Sequence, residues 1–580
     1  MKNYQVKPLC LAIGLAFAGS ASAATLDFSG SNIYMKFLDG NMQQASSKSI
    51  STDGGPFGGN ADQGQFTELN LVFKATISPK VEAGGRIQSR SSAAYWTEYG
   101  GFGNEGTVAN DSVNHQKFMK LRGAYMELTP GYSWLSNARI GTSDWGMFDP
   151  FTVGKIRYID RDNINGLYFK GPLTSASTWE IGRVSFPQWN RFMWGGGTLD
   201  AAQYNDAVYI GQVKVPVGRA KLAASYQSYN EHNLAATTVN PYTGTETQVF
   251  SQNTVAMVKA EGSTENGIDL RGAYYRSSFD LNSDTIGPTW GNTPMSSISD
   301  NAVKLDLDWT TPVAGLSLNY QHFNIGAGYY SATAARRESD VLLTEGSEAA
   351  WYNWGSPVWS GGATADYTQS ASNKNVTDNG FIDFNESPAE SVVGWKGNTI
   401  VAKFETADTP MSLELTKINY NNNWQNYSAT GPLAMFALNQ DRDTNIAVFK
   451  LNHLFNVMGG VDFNFKLKGV DDKDGKSSAT AADDRAVLDK GVTVSLGNQL
   501  FNDLYGTISY GRYTRGVTAG SNDFSNTKSI YSLRLAYNLP GFEMGLLTQS
   551  IQGDGNPTET VGAQTDIKQY RLKAYAQVNF

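Results

Sequence analysis

Cysteine is all but missing: the 580 residues hold one, Cys10. A chain with a single thiol forms no internal disulfide and no cysteine-bound metal site. Long apolar runs are missing as well, since nothing beyond the first residues offers the roughly 18 consecutive apolar positions that a transmembrane helix takes. Histidine is scarce, with His115, His232, His322 and His453 the four in the chain. Neither a Gly-x-Ser-x-Gly elbow nor a His-Glu-x-x-His pair occurs, so no catalytic site, metal or cofactor is expected. Positive charge is in deficit, which argues against a nucleic-acid partner. Without Lys2 and Lys7, 44 basic residues face 54 acidic ones, a net charge of −10.

Those two lysines belong to a short leader. Lys2 and Lys7 precede an apolar run from Leu9 to Ala18 and a small-residue end, Ala21-Ser22-Ala23. This is the three-part pattern of a secretory signal peptide. Residues 1–23 are therefore expected to be removed, with the working protein starting at Ala24.

What is abundant is glycine and aromatic residues: 60 Gly, 29 Tyr, 28 Phe and 13 Trp, in a chain of negative mean hydropathy. The apolar residues are dispersed, and in five places they alternate. Leu69, Leu71, Phe73, Ala75 and Ile77 interleave with Glu68, Asn70 and Lys74; Val303, Leu305, Leu307 and Trp309 with Lys304, Asp306 and Asp308. Val461, Phe463, Phe465 and Leu467 do so with Asp462, Asn464, Lys466 and Lys468, and Tyr531, Leu533, Leu535 and Tyr537 with Ser532, Arg534 and Ala536. The last stretch sets Tyr570, Leu572, Ala574, Ala576, Val578 and Phe580 against Arg571, Lys573, Tyr575, Gln577 and Asn579. A sustained period of two marks strands with one apolar and one polar face.

Short connections with turn residues, such as Ser78-Pro79-Lys80, Thr311 to Gly315 and Leu539-Pro540-Gly541, alternate with long polar ones such as Leu38 to Gln65 and Ser277 to Asp300. That asymmetry is the one shown by a transmembrane barrel, with short periplasmic turns and long external loops. The expectation is an all-β fold: one antiparallel transmembrane β-barrel over residues 24–580. About ten short turns give 22 strands, with 18 or 20 as the lower counts because Lys120 to Leu128, Ala138 to Trp145 and Ile164 to Gly171 alternate less cleanly. A secreted sandwich or propeller also alternates, but has no need of charge along so many strand faces.

The final strand, ending on Phe580, resembles the signal read by barrel-assembly machinery, and the chain from Ala24 to Phe580 resembles a Gram-negative outer-membrane porin. Leu26-Asp27-Phe28-Ser29-Gly30 is similar to the start of maltoporin-like sugar channels. The resemblance implies passive diffusion of small polar solutes, anions or sugars, in a setting of outer-membrane lipids and lipopolysaccharide. It leaves a homotrimer and a monomer both open.

Several residues are candidates for the pore wall: Glu82, Arg86, Arg90, Lys304, Asp306, Lys466, Arg534 and Arg571, with Lys403, Lys468 and Arg512 also on polar faces. Rings of fixed charge set the ion preference of a pore; the plainer reading is that such charges pair across strands and keep the lumen wet. Two loops are candidate constrictions. Residues 324–397 make a connection long enough to suggest function, expected to fold into or over the pore, with an aromatic group at Trp351, Trp354 and Trp359 that either narrows it or stacks on sugar rings. Gly141 to Asn165 carries Asp144, Asp149, Arg157 and Arg161, opposed charges suited to an eyelet, at the place of a porin's inward third loop. Val470-Asp471-Asp472-Lys473-Asp474-Gly475-Lys476 lacks calcium-loop spacing and reads as a solvated acidic loop. An energised transporter would need a plug domain before the first strand, whereas strand pattern begins at Leu26. A sheath around a partner protein, an adhesin and an outer-membrane hydrolase are the other readings.

Overall fold

The computed structural model describes residues 25–45, 50–52, 66–92, 119–154 (144 apart), 165–185, 207–230, 238–239, 246–247, 251–281, 297–326, 328–329, 331, 334, 342–345, 394–421, 442–474 (458 apart), 485–519, 522–555 and 565–580. Among these, 24 strands form one sheet. Two of them, Thr25–Asp27 and Ile50–Thr52, are three-residue pieces; the remaining 22 pair in sequence order, antiparallel throughout. The first long strand, Asn32–Ala45, pairs with the last, Thr565–Asn579, so the sheet closes. The closure continues past the ladder: Gly30 N–H donates to the Phe580 carbonyl at 3.3 Å and Phe580 N–H to that of Ser31 at 3.0 Å. A closed barrel leaves no strand edge unpaired.

Why these segments are strands, and which way they face, follows from the alternation. In the strands Ile268–Leu281 and Ser297–Thr310, Arg271 is opposite Asp306, Ala273 opposite Lys304 and Tyr275 opposite Ala302. Their neighbours Leu270, Tyr274, Val303 and Leu305 are exposed on the other face, where lipid is the solvent. Ten short connections join strand pairs at one end, among them Pro79-Lys80, Gly218-Arg219 and Pro540-Gly541. Gly218, Gly267, Gly315 and Gly541 adopt positive φ there, a region only glycine enters without strain.

The strands run further than the apolar pattern. Strand structure covers Leu38 to Ala45 and extends to Leu281 and back to Ser297, residues expected in loops. Above the lipid band the outer face turns polar, as at Arg276 and Ser278, so the period-two signal fades while the ladder continues. For the same reason Val470 to Asp474 ends the strand Val461–Asp474; it is not a loop, and Asp472 is buried. The long connection is bounded by Ile325 and Trp395, inside the limits read from sequence. Arg512 shares its face with Tyr510 and Ile508, opposite Val492, and so stands on the outer surface instead of the inner wall. The less regular segment Ala138 to Trp145 is a strand only for Asn137–Thr142, because the chain turns inward after it.

Lipid and lumen faces make a sharp test. Leu305→Arg is expected to cost about 2–4 kcal/mol of insertion free energy, while Asp306→Asn, one residue on, leaves insertion unchanged. Urea titration of folding into lipid vesicles measures both; equal effects would overturn the face assignment.

Candidate functional site

A barrel of this size encloses a lumen wide enough for a channel or for inserted chain. Part of the inner wall is not polar. Val255, Met257, Tyr275, Phe323, Ile418 and Ile446 point inward and are buried in one cluster with Phe151, Tyr329 and Leu342, which come from two connections folded into the barrel.

The first is the third external connection, described from Ser143 to Gly154 apart from Asp144. Trp145 is fully buried and, at φ 58°, the one described non-glycine residue with positive φ. Its ring lies on Gly166, where a Cβ would stand 2.4 Å from Cζ2, so the strand Asn165–Pro172 receives it through a missing side chain. Asp149 organises the turn: its carboxylate accepts from Phe151 N–H at 3.0 Å and its carbonyl from Thr152 N–H at 2.9 Å. The same carboxylate accepts the Tyr275 hydroxyl at 3.0 Å and stands 3.9 Å from Lys259 Nζ. Phe151 stacks on Tyr275 with ring centroids 5.1 Å apart.

The second is the head of the long connection after Ile325. Gly328 N–H donates to Asp300 at 2.9 Å, the Tyr329 hydroxyl to the Phe151 carbonyl at 2.8 Å, and the Ser331 hydroxyl to the Thr152 carbonyl at 2.6 Å. The two segments thus support one another. Burial, with the Asp149 charge second, pushes the Tyr329 phenol well above its ordinary range, which keeps it a neutral donor.

Further on, this connection is fastened to the wall. Leu343 N–H donates to Gln321 at 2.8 Å. Glu414, buried on the strand Met411–Tyr420, accepts the Thr344 hydroxyl at 2.7 Å and Glu345 N–H at 3.0 Å. Glu345 places one carboxylate oxygen on Lys450 and the other 2.8 Å from Lys466. Burial works against its charge, but the hydrogen bonds and charges of the two lysines outweigh burial and hold the carboxyl below its ordinary value.

The residues singled out from sequence distribute as follows. Glu82 pairs with Lys74 at 2.8 Å and accepts the Tyr125 hydroxyl at 3.0 Å; Arg86, on the same strand face, donates to Asn70 at 3.1 Å. Lys304 and Asp306 are 3.5 Å apart on the inner face. Arg534 binds Glu543 and the Tyr575 hydroxyl, the latter at 3.0 Å. Lys466 and Arg534 line a common cavity of about 600 Å³. Arg90 and Arg571 occupy inner-face register positions opposite Glu68 and Gln549, with side chains outside the described residues. Arg157, Arg161, Trp351, Trp354 and Trp359 also lie outside them.

Sequence reasoning missed Asp149 as an organiser of its turn, Asp300, Glu345, Glu414 and Lys450. For the apolar inner patch a signal existed: runs such as Val255-Ala256-Met257-Val258 and Ile446-Ala447-Val448-Phe449 are apolar on both faces, which a strand between lipid and water has no reason to be.

No protein-family model and no curated protein matches the sequence. Among solved structures it is similar to the FrpB iron transporter from Neisseria meningitidis, at 9% identity over 96% of this chain and 82% of that one, TM-score 0.43. It is likewise similar to the translocation pore of the P pilus usher PapC, at 8% over 95% and 99%, TM-score 0.36. Salmonella typhi OmpF, solved with daunomycin, matches at 9% over 74% and 98%, TM-score 0.31. Likenesses this distant carry neither a function nor a site. The class rests on the barrel itself: closed, apolar outside and charged within, it is a multi-strand transmembrane β-barrel of the bacterial outer membrane.

Proposed function

We propose that the protein is a passive pore for small polar solutes, narrowed by its own inward connections. The observation that carries this is the fastening of two connections, through Asp149 and Glu345, to a wall of mixed charge. Tight pairing of Glu82, Asp306 and Arg534 with neighbours keeps that wall hydrated without closing it. Opposed fixed charges across a narrowed lumen set a field on passing ions. The same reading takes outer-membrane lipid and lipopolysaccharide as surroundings, barrel-assembly machinery as a biogenesis partner, and a homotrimer as an assembly to test by mass in detergent.

Single-channel recording in a planar bilayer tests the proposal. Ohmic steps with a non-zero reversal potential in a salt gradient are expected, and Arg86→Ala is expected to shift that potential toward cations. A folded barrel that stays silent would sink the pore reading; a conducting variant with unchanged reversal potential would remove Arg86 from the selective wall.

A further inference from the structure

Lys450 and Lys466 are directly opposite each other across two adjacent strands on the inner face. Like charges in that arrangement repel and destabilise the pair, so the position calls for an anion. Glu345 supplies one, one carboxylate oxygen to each ammonium, but it arrives from a connection and is not part of the wall. Two residue pairs along the same strands, on the same face, a continuous polar row begins. Asn452 is opposite Asn464, then Ser495, Ser509, Ser532 and Gln549 follow in register across the next four strands. All six line the cavity that holds Lys450, Lys466 and Arg534, and among the described residues no carboxylate lines it.

We infer that this part of the wall is a binding site for hydroxylated carboxylates, sugar acids in particular, and that Glu345 is the chain's own occupant of its anion position. The lysine pair takes the carboxylate, as it takes that of Glu345, and the row of amides and hydroxyls exchanges hydrogen bonds with the solute's hydroxyl groups. Small side chains leave the solute room, and amides both donate and accept, so the row suits a polyol better than an apolar acid. An entering sugar acid competes with Glu345 for the lysines, which couples occupancy to release of the Glu345 carboxylate. The inference rests on the pore reading and narrows its solute class.

The test is block of single-channel current by gluconate, with glucose as the neutral comparison, at low ionic strength where the charges are least screened. Gluconate is expected to block the unmodified channel more strongly than glucose. Lys450→Gln and Lys466→Gln should each raise the half-blocking gluconate concentration about tenfold, the scale of one charge-assisted hydrogen bond. Glu345→Gln should lower it, and glucose block should not change in Lys450→Gln or Lys466→Gln. Equal gluconate block in all channels, or equal block by both solutes, overturns the site while leaving a conducting pore in place. Were the barrel silent, titration calorimetry of gluconate against the purified folded protein decides. Binding heat whose affinity Lys466→Gln lowers about tenfold would keep the site though the pore reading fails, and no heat would overturn both.

Discussion

Trp145→Ala is expected to raise single-channel conductance and to open the third connection to protease from outside. Trp145 is fully buried, its ring seated where Gly166 has no side chain, in a backbone conformation that a bulky residue rarely adopts. Removing so large a buried side chain costs about 3–5 kcal/mol, or roughly two to three and a half powers of ten in the equilibrium between docked and undocked connection. The barrel ladder does not pass through Trp145, so the loss falls on this segment and its contacts, Phe148 against Tyr168 and Phe151 against Tyr275. Tyr329 and Ser331, which donate to Phe151 and Thr152, should loosen with it. Conductance and protease cleavage both unchanged would show that the segment does not narrow the pore.

Acid should release the other connection. Burial opposes ionisation of Glu345, but Lys450 and Lys466 more than compensate, so its carboxyl titrates below the ordinary glutamate value. A carboxylate whose folded-state pKa is depressed stabilises docking fully above its unfolded pKa, about 4.3, and loses that contribution as pH falls through the depressed value. Conductance is therefore steady from neutral pH down to about 4.3 and changes below it, with added current noise. Two variants separate Glu345 from the other acids of the wall. Glu345→Gln should show the acid behaviour at pH 7 and lose the transition. The double variant Lys450→Gln with Lys466→Gln leaves burial unopposed, which moves the transition to higher pH. A low-pH step that persists in Glu345→Gln would assign it to another group.

Much of the barrel was legible because alternation is local. Whether Leu305 or Asp306 faces lipid depends on the pleat alone, and the strand count followed from ten turns punctuated by glycine and proline. Within the lipid band the charged face of a strand was legible for the same reason, and Glu82, Arg86, Lys304, Asp306, Lys466 and Arg534 share the inner face. Two things defeated the pattern. Beyond the lipid band both faces are polar, which hid the strand continuations at Leu38 to Ala45 and Val470 to Asp474 and misplaced Arg512. Under the inward connections both faces are apolar, which blurred strands such as Ser251–Ser263.

The sequence by itself determined the class of fold and, where apolar and polar residues alternate, which side of the wall a strand residue takes, since a period of two needs no partner to be read. Which inner residues meet was decided only by tertiary structure. Glu345 and Lys466 are 121 residues apart, and Tyr329 and Phe151 are 178 apart. Those contacts exist because strand register and barrel closure fix where each connection enters the lumen, and neither quantity is encoded in any single segment.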